Sequence, residues 1–203
     1  MSTNNLIGIT GGIGSGKSTV SRFWSTYANL PLIDIDQLCR KLLEVEMPGW
    51  VALKENLDKS FFVADGSLNR SGLRSAIFED DNLRKIVNQL MHPLALDLLL
   101  DKTAGFEGVV LVDVPLLFEA GWEDKFERTV VVFADQQVCC RRLSGRDRIL
   151  AKDAAKAIYA QMITWEKAML ADHVIDNRFC WLHTRTRVVH LAELIKDAFP
   201  LSY

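Results

Sequence analysis

Two hydrophobic patterns alternate along this chain. Short runs of apolar, often β-branched residues stop at glycine, aspartate or asparagine, and they occupy 6–10, 30–36, 108–114, 128–134 and 173–177. Such runs are typical of strands that are buried on both faces of a parallel sheet. Between the runs, apolar residues recur at helical spacing. Strands that alternate with helices predict an α/β protein with three layers around a five-stranded parallel sheet.

Helical spacing is clearest after the first run and at the end of the chain. Apolar residues there fall on one face of a helix: Val20, Phe23, Trp24 and Tyr27, and then Val188, Leu191, Ala192, Ile195, Ala198 and Phe199. Further helices are predicted over 37–45, ended by Pro48 and Gly49, over a segment begun by Asp135 as N-cap, and over 152–162.

The segment at 50–103 differs from the rest, because it contains few β-branched runs. We predict that it is mostly helical, with a turn at 65–70 and a helix that starts near Pro93. No strand is predicted there. The segment therefore has the pattern of a helical insertion between two strands of the sheet.

Composition limits the classes of function. A net charge of −2, with scattered basic residues, argues against a nucleic-acid partner. The cysteines Cys39, Cys139, Cys140 and Cys180 lack zinc-ligand spacing and predict thiols in a reducing cytosol. No leader pattern and no apolar stretch of about 18 residues occurs, so we expect a cytoplasmic protein without membrane contact. At 203 residues, a single domain is expected.

The sequence GGIGSGKS at 11–18 matches the phosphate-binding pattern G-x-x-x-x-G-K-[ST], between a predicted strand and a predicted helix. Small residues let backbone N–H groups turn toward phosphate oxygens, and the helix N-terminus favours the same anion. Lys17 can reach the β- and γ-phosphates, and the Ser18 hydroxyl can bind Mg²⁺. The alternative, a glycine-rich turn without a ligand, is disfavoured by the flanking strand and helix.

Two carboxylates, Asp34 and Asp36, lie at the end of the second predicted strand. The two-residue period of a strand would place both on one side, with Ile33 and Ile35 on the other. One could accept a proton from an attacking hydroxyl, and the other could orient water bound to Mg²⁺. The alternative is that they cap the helix that follows.

Asp113 ends the most apolar strand of the chain, where a carboxylate is unexpected unless it has a task. Its position resembles that of the aspartate that holds Mg²⁺ in nucleotide-binding proteins, directly or through water. The alternative is a structural hydrogen bond to the backbone of the loop at 11–18.

Arginines cluster in RRLSGRDR, after a predicted helix: Arg141, Arg142, Arg146 and Arg148. A lid that carries arginines can close over a nucleotide, neutralise the transferring phosphoryl group and exclude water. Arg142 and Arg146 are the candidates for phosphate contact. A solvated helix face would also be rich in arginine.

Two further residue types receive a structural interpretation. His92 is assigned no catalytic role, because a histidine near a helix N-terminus is readily satisfied by a backbone group. The five tryptophans share no short segment, so we predict that they pack in the interior rather than form a stacking surface.

The guanine motif [NT]-K-x-D of GTPases does not occur. Instead the chain resembles the dephospho-coenzyme A kinase family over nearly its whole length, through IGITGGIGSGKSTV, IDIDQLCRKLLE, DGSLNRSGLRSAIF, MHPLA, VDVPLLFEAGW, VVVFADQQVCCRRLSGRD and ADHVIDN. The resemblance implies transfer of the ATP γ-phosphoryl group to the ribose 3′-hydroxyl of dephospho-CoA, with Mg²⁺. It also implies small-molecule substrates only, and a monomer or small homo-oligomer.

The implied fold is the three-layer P-loop NTPase fold in one domain over 1–203. Its core would comprise 1–48, 106–140 and 172–203, with a helical substrate-binding region at 49–105 and a helical lid at 141–171.

The resemblance and the motifs together nominate the site residues. Asp36 is the expected base, with Lys17 and Arg146 also catalytic. ATP is expected to contact Gly14, Ser15, Gly16, Lys17, Ser18, Thr19 and Arg142. The acceptor is expected to contact Thr10, Asp34, Arg40 and Arg74, and the metal ion Ser18 and Asp113.

The chain departs from the family pattern at two places. Arg178, Phe179 and Trp181 follow VIDN, where the family usually has a small or glycine-containing turn. The lid keeps Gln161 but lacks an acidic loop at its opening. The alternatives to the implied activity are a P-loop kinase of another nucleotide-like metabolite and a nucleotide-binding regulator without turnover.

Overall fold

A computed structural model describes residues 4–199, except for the side chains of Asn4 and Phe78; the ends of the predicted domain, 1–3 and 200–203, lie outside the described residues. One parallel sheet has the strand order β2-β3-β1-β4-β5. Its strands are β1 (Asn4–Thr10), β2 (Leu32–Asp34), β3 (Gly108–Asp113), β4 (Arg128–Phe133) and β5 (His173–Asp176). The predicted five-stranded parallel sheet is confirmed.

The helices of the described chain are α1 (Lys17–Ala28), α2 (Ile35–Leu42), α3 (Pro48–Asn56), α4 (Arg70–Glu79), α5 (Asp81–Thr103), α6 (Gln136–Asp147), α7 (Ala151–Tyr159), α8 (Thr164–Leu170) and α9 (Trp181–Ala198). Short 3₁₀ helices occupy Lys59–Phe61 and Glu123–Lys125. Among the helices within 4–199, none combines the length and apolar character needed to cross a membrane.

The chain divides into two compact units, which are described separately. The sheet unit comprises the chain up to Asp34 and from Thr103 onward, and the helical unit comprises Ile35–Lys102.

The core of the sheet unit lies between one face of the sheet and helices α1 and α9. Alternate strand residues such as Ile7, Leu111 and Val132 are buried there against Trp24 of α1 and Val188 of α9. The predicted apolar faces of both helices are therefore confirmed except at Tyr27 and Ala198, which are exposed. On the other face of the sheet, α8 packs against β4.

The second strand is shorter than the apolar run predicted. It ends at Asp34, and Ile35 begins α2, in which Ile35, Leu38 and Leu42 are buried at helical spacing. The prediction that Asp34 and Asp36 share one side of a strand is wrong, because Asp36 lies in the first turn of this helix. Burial of the Ile35 face determines the helix in preference to extended backbone.

The helical unit contains no strand, although Phe62 forms one isolated antiparallel bridge with Leu68, which lies inside the predicted turn at 65–70. Two proline predictions were wrong. Pro48 begins α3 rather than only ending the preceding helix, which stops at Leu42. Pro93 lies inside α5, a helix of 23 residues, rather than near its start.

Candidate active site

The carboxyl ends of the parallel strands meet at one edge of the sheet, where ligands bind in open α/β sheets. The last residues of these strands are Thr10, Asp34, Asp113, Phe133 and Asp176. The predicted phosphate loop, residues 11–18, leaves this edge from β1, the central strand, and leads into α1. The fold therefore brings the glycine-rich motif and two of the candidate aspartates to the same edge.

The phosphate loop uses glycine where its backbone demands it. Gly14 and Gly16 have φ angles of 81° and 92°, which L side chains rarely adopt. A Cβ on Gly14 would lie 2.6 Å from the carbonyl oxygen of Cys139, and a Cβ on Gly16 would collide with the side-chain amide of Asn177. Both positions therefore exclude larger residues.

Helix α1 begins directly at Lys17, with Gly16 as its N-cap and no side chain that caps it. The N–H groups in the first turn of a helix lack carbonyl acceptors within the helix, so this end favours an anion. Ser18 and Thr19, in this first turn, are exposed. The arrangement is that of a phosphate-binding helix terminus.

Asp113 is buried and bound on both sides by α1. Its Oδ2 atom accepts a hydrogen bond of 3.0 Å from the Ser21 hydroxyl, and its Oδ1 atom pairs with the ammonium of Lys17. The side-chain partners of Asp113 are therefore these two side chains rather than the loop backbone. The Ser21 contact was missed, because Ser21 lies outside every motif in the sequence.

Asp34 stands beside Asp113 in the register of β2 and β3. Neighbouring strands lie about 4.8 Å apart, so the two residues share one face of the sheet at its carboxyl edge. Together with the exposed Ser18 hydroxyl, they offer only oxygen donors, the set that the hard cation Mg²⁺ prefers. The residues present therefore fit a magnesium ion.

The phosphate loop is also held from outside. Asn177, directly after β5, donates from Nδ2 to the carbonyl oxygen of Ser15 at 2.7 Å, and it accepts at Oδ1 from the Thr184 hydroxyl at 2.8 Å. Arg142 of α6 donates from its two terminal nitrogens to the carbonyl oxygens of Ser15 at 3.2 Å and of Asn177 at 3.0 Å. The sequence does not indicate this role of Asn177, although the residue belongs to the VIDN motif.

The other arginines of the predicted cluster lie on α6 or at its end, rather than after it. Arg146 is exposed and donates two hydrogen bonds to the neighbouring Asp147, at 2.6 and 2.9 Å. This pairing raises the pKa of Arg146 above its ordinary value, so the group carries its charge at every physiological pH. Arg148 caps the helix with a left-handed backbone.

An ion pair and a hydrogen bond from Lys167 connect the segment after β3 to α8. The fully buried ammonium of Lys167 pairs with Glu119 at 2.8 Å and donates to the carbonyl oxygen of Pro115 at 3.3 Å. Thr10 donates its hydroxyl to the same carbonyl at 3.2 Å. Glu119 also accepts from the backbone N–H of Met162 at 3.1 Å. In this structure Thr10, a predicted acceptor contact, is buried in that network.

Gln161 connects the predicted lid with the phosphate loop. Its Oε1 atom accepts a hydrogen bond of 3.0 Å from the backbone N–H of Ile13. A lysine and a glutamine from 161–167 therefore contact the two segments that follow β1 and β3. Nothing in the local sequence pattern around Lys167 indicated this.

The remaining candidates lie in the helical unit. Asp36 is exposed in the first turn of α2, and Arg40 lies in its last turn, where its carbonyl oxygen accepts from the Arg70 guanidinium at 3.1 Å. Arg74 is exposed on α4. His92 lies within α5 rather than at a helix start, and burial lowers its pKa.

The prediction of five packing tryptophans holds for only three. Trp24, Trp50 and Trp122 are buried, whereas Trp165 and Trp181 are 63% and 41% exposed. The ring of Trp165 lies 6.2 Å from that of Phe133, beside a cavity of about 450 Å³ at the start of α6.

The chain is similar to known kinases over most of its length. A family model described as dephospho-CoA kinase matches residues 5–180. A dephospho-CoA kinase from Listeria monocytogenes is 36% identical over 187 residues, covering 90% of this chain and 93% of that relative. One from Oceanobacillus iheyensis is 38% identical over 176 residues, covering 85% and 88%.

Solved structures show the same fold. TT1252 from Thermus thermophilus superimposes with a TM-score of 0.80 at 31% identity, covering 94% of this chain and 98% of that one. A dephospho-CoA kinase from Campylobacter jejuni gives a TM-score of 0.67 at 20% identity, covering 97% and 99%. The family model spans most of the described chain, and its relatives match over most of their own length; the chain belongs to the dephospho-CoA kinase family.

Proposed function

We infer that this protein is an ATP-dependent kinase that phosphorylates the ribose 3′-hydroxyl of dephospho-CoA and so forms coenzyme A, the last step of coenzyme A biosynthesis. The observation that carries this conclusion is the match of the family model over residues 5–180, which include the phosphate loop and the whole helical unit. The enzyme is a phosphotransferase with an alcohol group as acceptor.

The phosphate loop supports ATP as the donor. We propose that backbone N–H groups of Gly14 to Thr19 bind the phosphate oxygens, at the open N-terminus of α1. Lys17, which pairs with Asp113 in this structure, would neutralise the β- and γ-phosphates. Phosphoryl transfer asks for little covalent chemistry from the protein, so positioning and charge neutralisation dominate the rate.

Ser18 and Asp113 are the proposed ligands of Mg²⁺, directly or through water, with Asp34 beside them. When bound, the ion neutralises the charge that develops on the phosphate oxygens. Within 4–199 no three His, Cys, Asp or Glu side chains converge on one point, so phosphate and water oxygens would complete the coordination.

We propose that Asp36 accepts the proton of the attacking 3′-hydroxyl. Its exposed position in the first turn of α2 supports this role, because an acceptor hydroxyl can approach the residue from solvent. The alternative is that the carboxylate only stabilises the positive N-terminal end of α2. In that case its removal should leave the rate of phosphoryl transfer unchanged. Thr10, Asp34, Arg40 and Arg74 remain the proposed acceptor contacts.

Arg142 and Arg146 are proposed to contact the nucleotide from the lid. Arg146 is exposed, and its guanidinium donates hydrogen bonds to the adjacent Asp147. A phosphate could compete with this carboxylate for the guanidinium. Arg142 already bonds the loop carbonyls, which favours a role in holding the loop as well.

The proposed division of the chain is the one that the family resemblance implies. We propose one kinase domain with its core at 1–48, 106–140 and 172–203, a substrate-binding region at 49–105 and a lid at 141–171. We also propose that the enzyme works in the cytoplasm as a monomer or small homo-oligomer. The cysteines, none of which forms a disulfide, support a reducing compartment.

One coupled assay tests the activity. Purified protein, Mg²⁺-ATP and dephospho-CoA should yield ADP and a 3′-phosphorylated product in equal amounts, with both quantities measured. AMP serves as the comparison acceptor. Absence of coenzyme A in the presence of dephospho-CoA would overturn the proposed function, and product from AMP instead would indicate a kinase of another nucleotide-like metabolite.

A further inference from the structure

We propose that Asn177 is a positioning residue that aims the backbone N–H of Gly16 at the phosphates of the bound nucleotide. This inference deepens the proposed function, since it rests on the phosphate loop as the donor site. It concerns a residue that does not touch the reacting atoms and acts through the Ser15 carbonyl.

The outer side of the phosphate loop is covered by protein. A Cβ on Gly12 would lie 2.5 Å from the Thr164 hydroxyl, one on Gly14 would meet Cys139, and one on Gly16 would meet Asn177. The elements that bring these groups are α8, α6 and the end of β5. A phosphate must therefore approach from the opposite side, which is also the side where an anion can meet the start of α1.

Two donors hold the Ser15 carbonyl toward the covered side. Asn177 donates from Nδ2 at 2.7 Å and Arg142 from a terminal nitrogen at 3.2 Å. In a trans peptide the carbonyl and the following N–H lie in one plane and point in opposite directions. With the Ser15 oxygen held outward, the N–H of Gly16 is directed to the side that is open to phosphate.

The amide of Asn177 has only one orientation that satisfies its neighbours. The Ser15 carbonyl can only accept, so Nδ2 must face it, and Oδ1 is left to accept from the buried Thr184 hydroxyl at 2.8 Å. Its backbone N–H donates to the Phe133 carbonyl at 2.7 Å and continues the pairing of β4 with β5. The residue is 6% exposed, so no water molecule can readily replace these bonds.

The φ of 92° at Gly16 supports the same conclusion. A peptide plane between Ser15 and a glycine can rotate with little steric cost, because glycine populates both signs of φ. The loop therefore needs an external restraint if its N–H groups are to be ordered before the nucleotide binds. Asn177 supplies that restraint, and the gain is pre-organisation of the donor site.

The test compares nucleotide binding in two variants and a control. Asn177→Leu keeps the size of the side chain and removes both polar atoms, whereas Asn177→Asp keeps the acceptor for Thr184 and removes the donor to Ser15. Thr129→Val is the control, since it deletes another buried hydroxyl, bonded to Asp172 at 2.8 Å, on β4. Isothermal titration gives the Kd of Mg²⁺-ATP and, separately, of dephospho-CoA.

We expect both Asn177 variants to raise the Kd of Mg²⁺-ATP about tenfold or more, the scale of one charge-assisted hydrogen bond. The Kd of dephospho-CoA and the Thr129→Val protein should change by less than about twofold. In ¹⁵N-glycine-labelled protein, the downfield shift of the Gly16 amide proton on addition of ATP should shrink in both variants.

Folded Asn177 variants that bind Mg²⁺-ATP as tightly as the wild type would overturn the proposal. So would equal losses for ATP and dephospho-CoA, since these would indicate a merely structural residue. Because ATP binding is measured without turnover, the result is independent of whether dephospho-CoA is the acceptor.

Discussion

The hydroxyl of Ser21 donates to the Oδ2 atom of Asp113 at 3.0 Å, between the second turn of α1 and the last residue of β3. Both side chains are buried. The bond prevents rotation of the carboxylate and leaves its other oxygen to Lys17. Ser21 therefore orients the group that we propose to hold Mg²⁺, directly or through water.

Ser21→Ala should lower kcat/KM for Mg²⁺-ATP about tenfold, the cost of leaving a buried acceptor without its donor. Steady-state kinetics at several Mg²⁺ concentrations measures it, and the apparent requirement for Mg²⁺ should rise. Ser25→Ala is the matched control on the same helix, because its hydroxyl donates to the Leu30 carbonyl at 2.7 Å instead. Equal kinetic losses in the two variants would contradict the assignment.

Asp36→Asn should reduce kcat about 100-fold, since general bases contribute on that scale, and should leave the Kd of Mg²⁺-ATP unchanged. Single-turnover measurement of phosphoryl transfer separates this effect from product release. Glu44→Gln, another exposed carboxylate in the segment after α2, should behave as wild type. If Asp36→Asn keeps wild-type turnover, the carboxylate only stabilises the helix start.

The ion pair of Lys167 and Glu119 should show an asymmetric energetic effect. Lys167 is fully buried, whereas the Glu119 side chain is 22% exposed. Removing the carboxylate therefore leaves a buried positive charge without its partner, but removing the ammonium leaves a carboxylate that water can reach. Glu119→Leu should cost about 3 kcal/mol in the free energy of unfolding, and Lys167→Met clearly less.

Urea denaturation of both single variants and the double variant measures these costs. The double variant should be more stable than Glu119→Leu alone, because the stranded ammonium is gone. A double variant less stable than either single variant would show that the pair's other contacts, not its charges, determine the effect.

Cys139 should be unreactive in the folded protein. Burial raises the pKa of its thiol to about 11, so almost no thiolate exists at pH 8. A thiol reagent should therefore modify exposed Cys180 quickly and Cys139 only after unfolding. Cys180→Ser should abolish the fast phase, and fast modification of Cys139 in that variant would disprove the burial argument.

The raised pKa of Cys139 also makes the stability of the protein depend on pH. The neutral thiol's contribution to the free energy of unfolding is complete below the ordinary pKa of 9.0 and is lost as the pH rises toward about 11. The stability difference between wild type and Cys139→Ala should shrink over that interval, measured by urea denaturation at each pH. A constant difference would contradict it.

Local pattern was sufficient for most of the fold because strands and amphipathic helices differ in period. The prediction was wrong where one residue fits both the two-residue period of a strand and the 3.6-residue period of a helix. Ile35 ends an apolar run and also begins the buried face of α2, and the helix prevails because Leu38 and Leu42 are buried with it. Pro93 was expected near a helix start, yet α5 extends 12 residues before it, from Asp81.

The motif at 11–18 by itself determined that this chain has a phosphate loop, because its glycines, lysine and hydroxyls are required by chemistry at adjacent positions. The motif does not indicate which residues elsewhere in the chain bind the loop. Asn177 lies 162 positions from Ser15 and Gln161 lies 148 from Ile13. Only the parallel sheet, which gathers the ends of β1, β3, β4 and β5 at one edge, brings those side chains together, since contacts between distant segments leave no local period in a sequence.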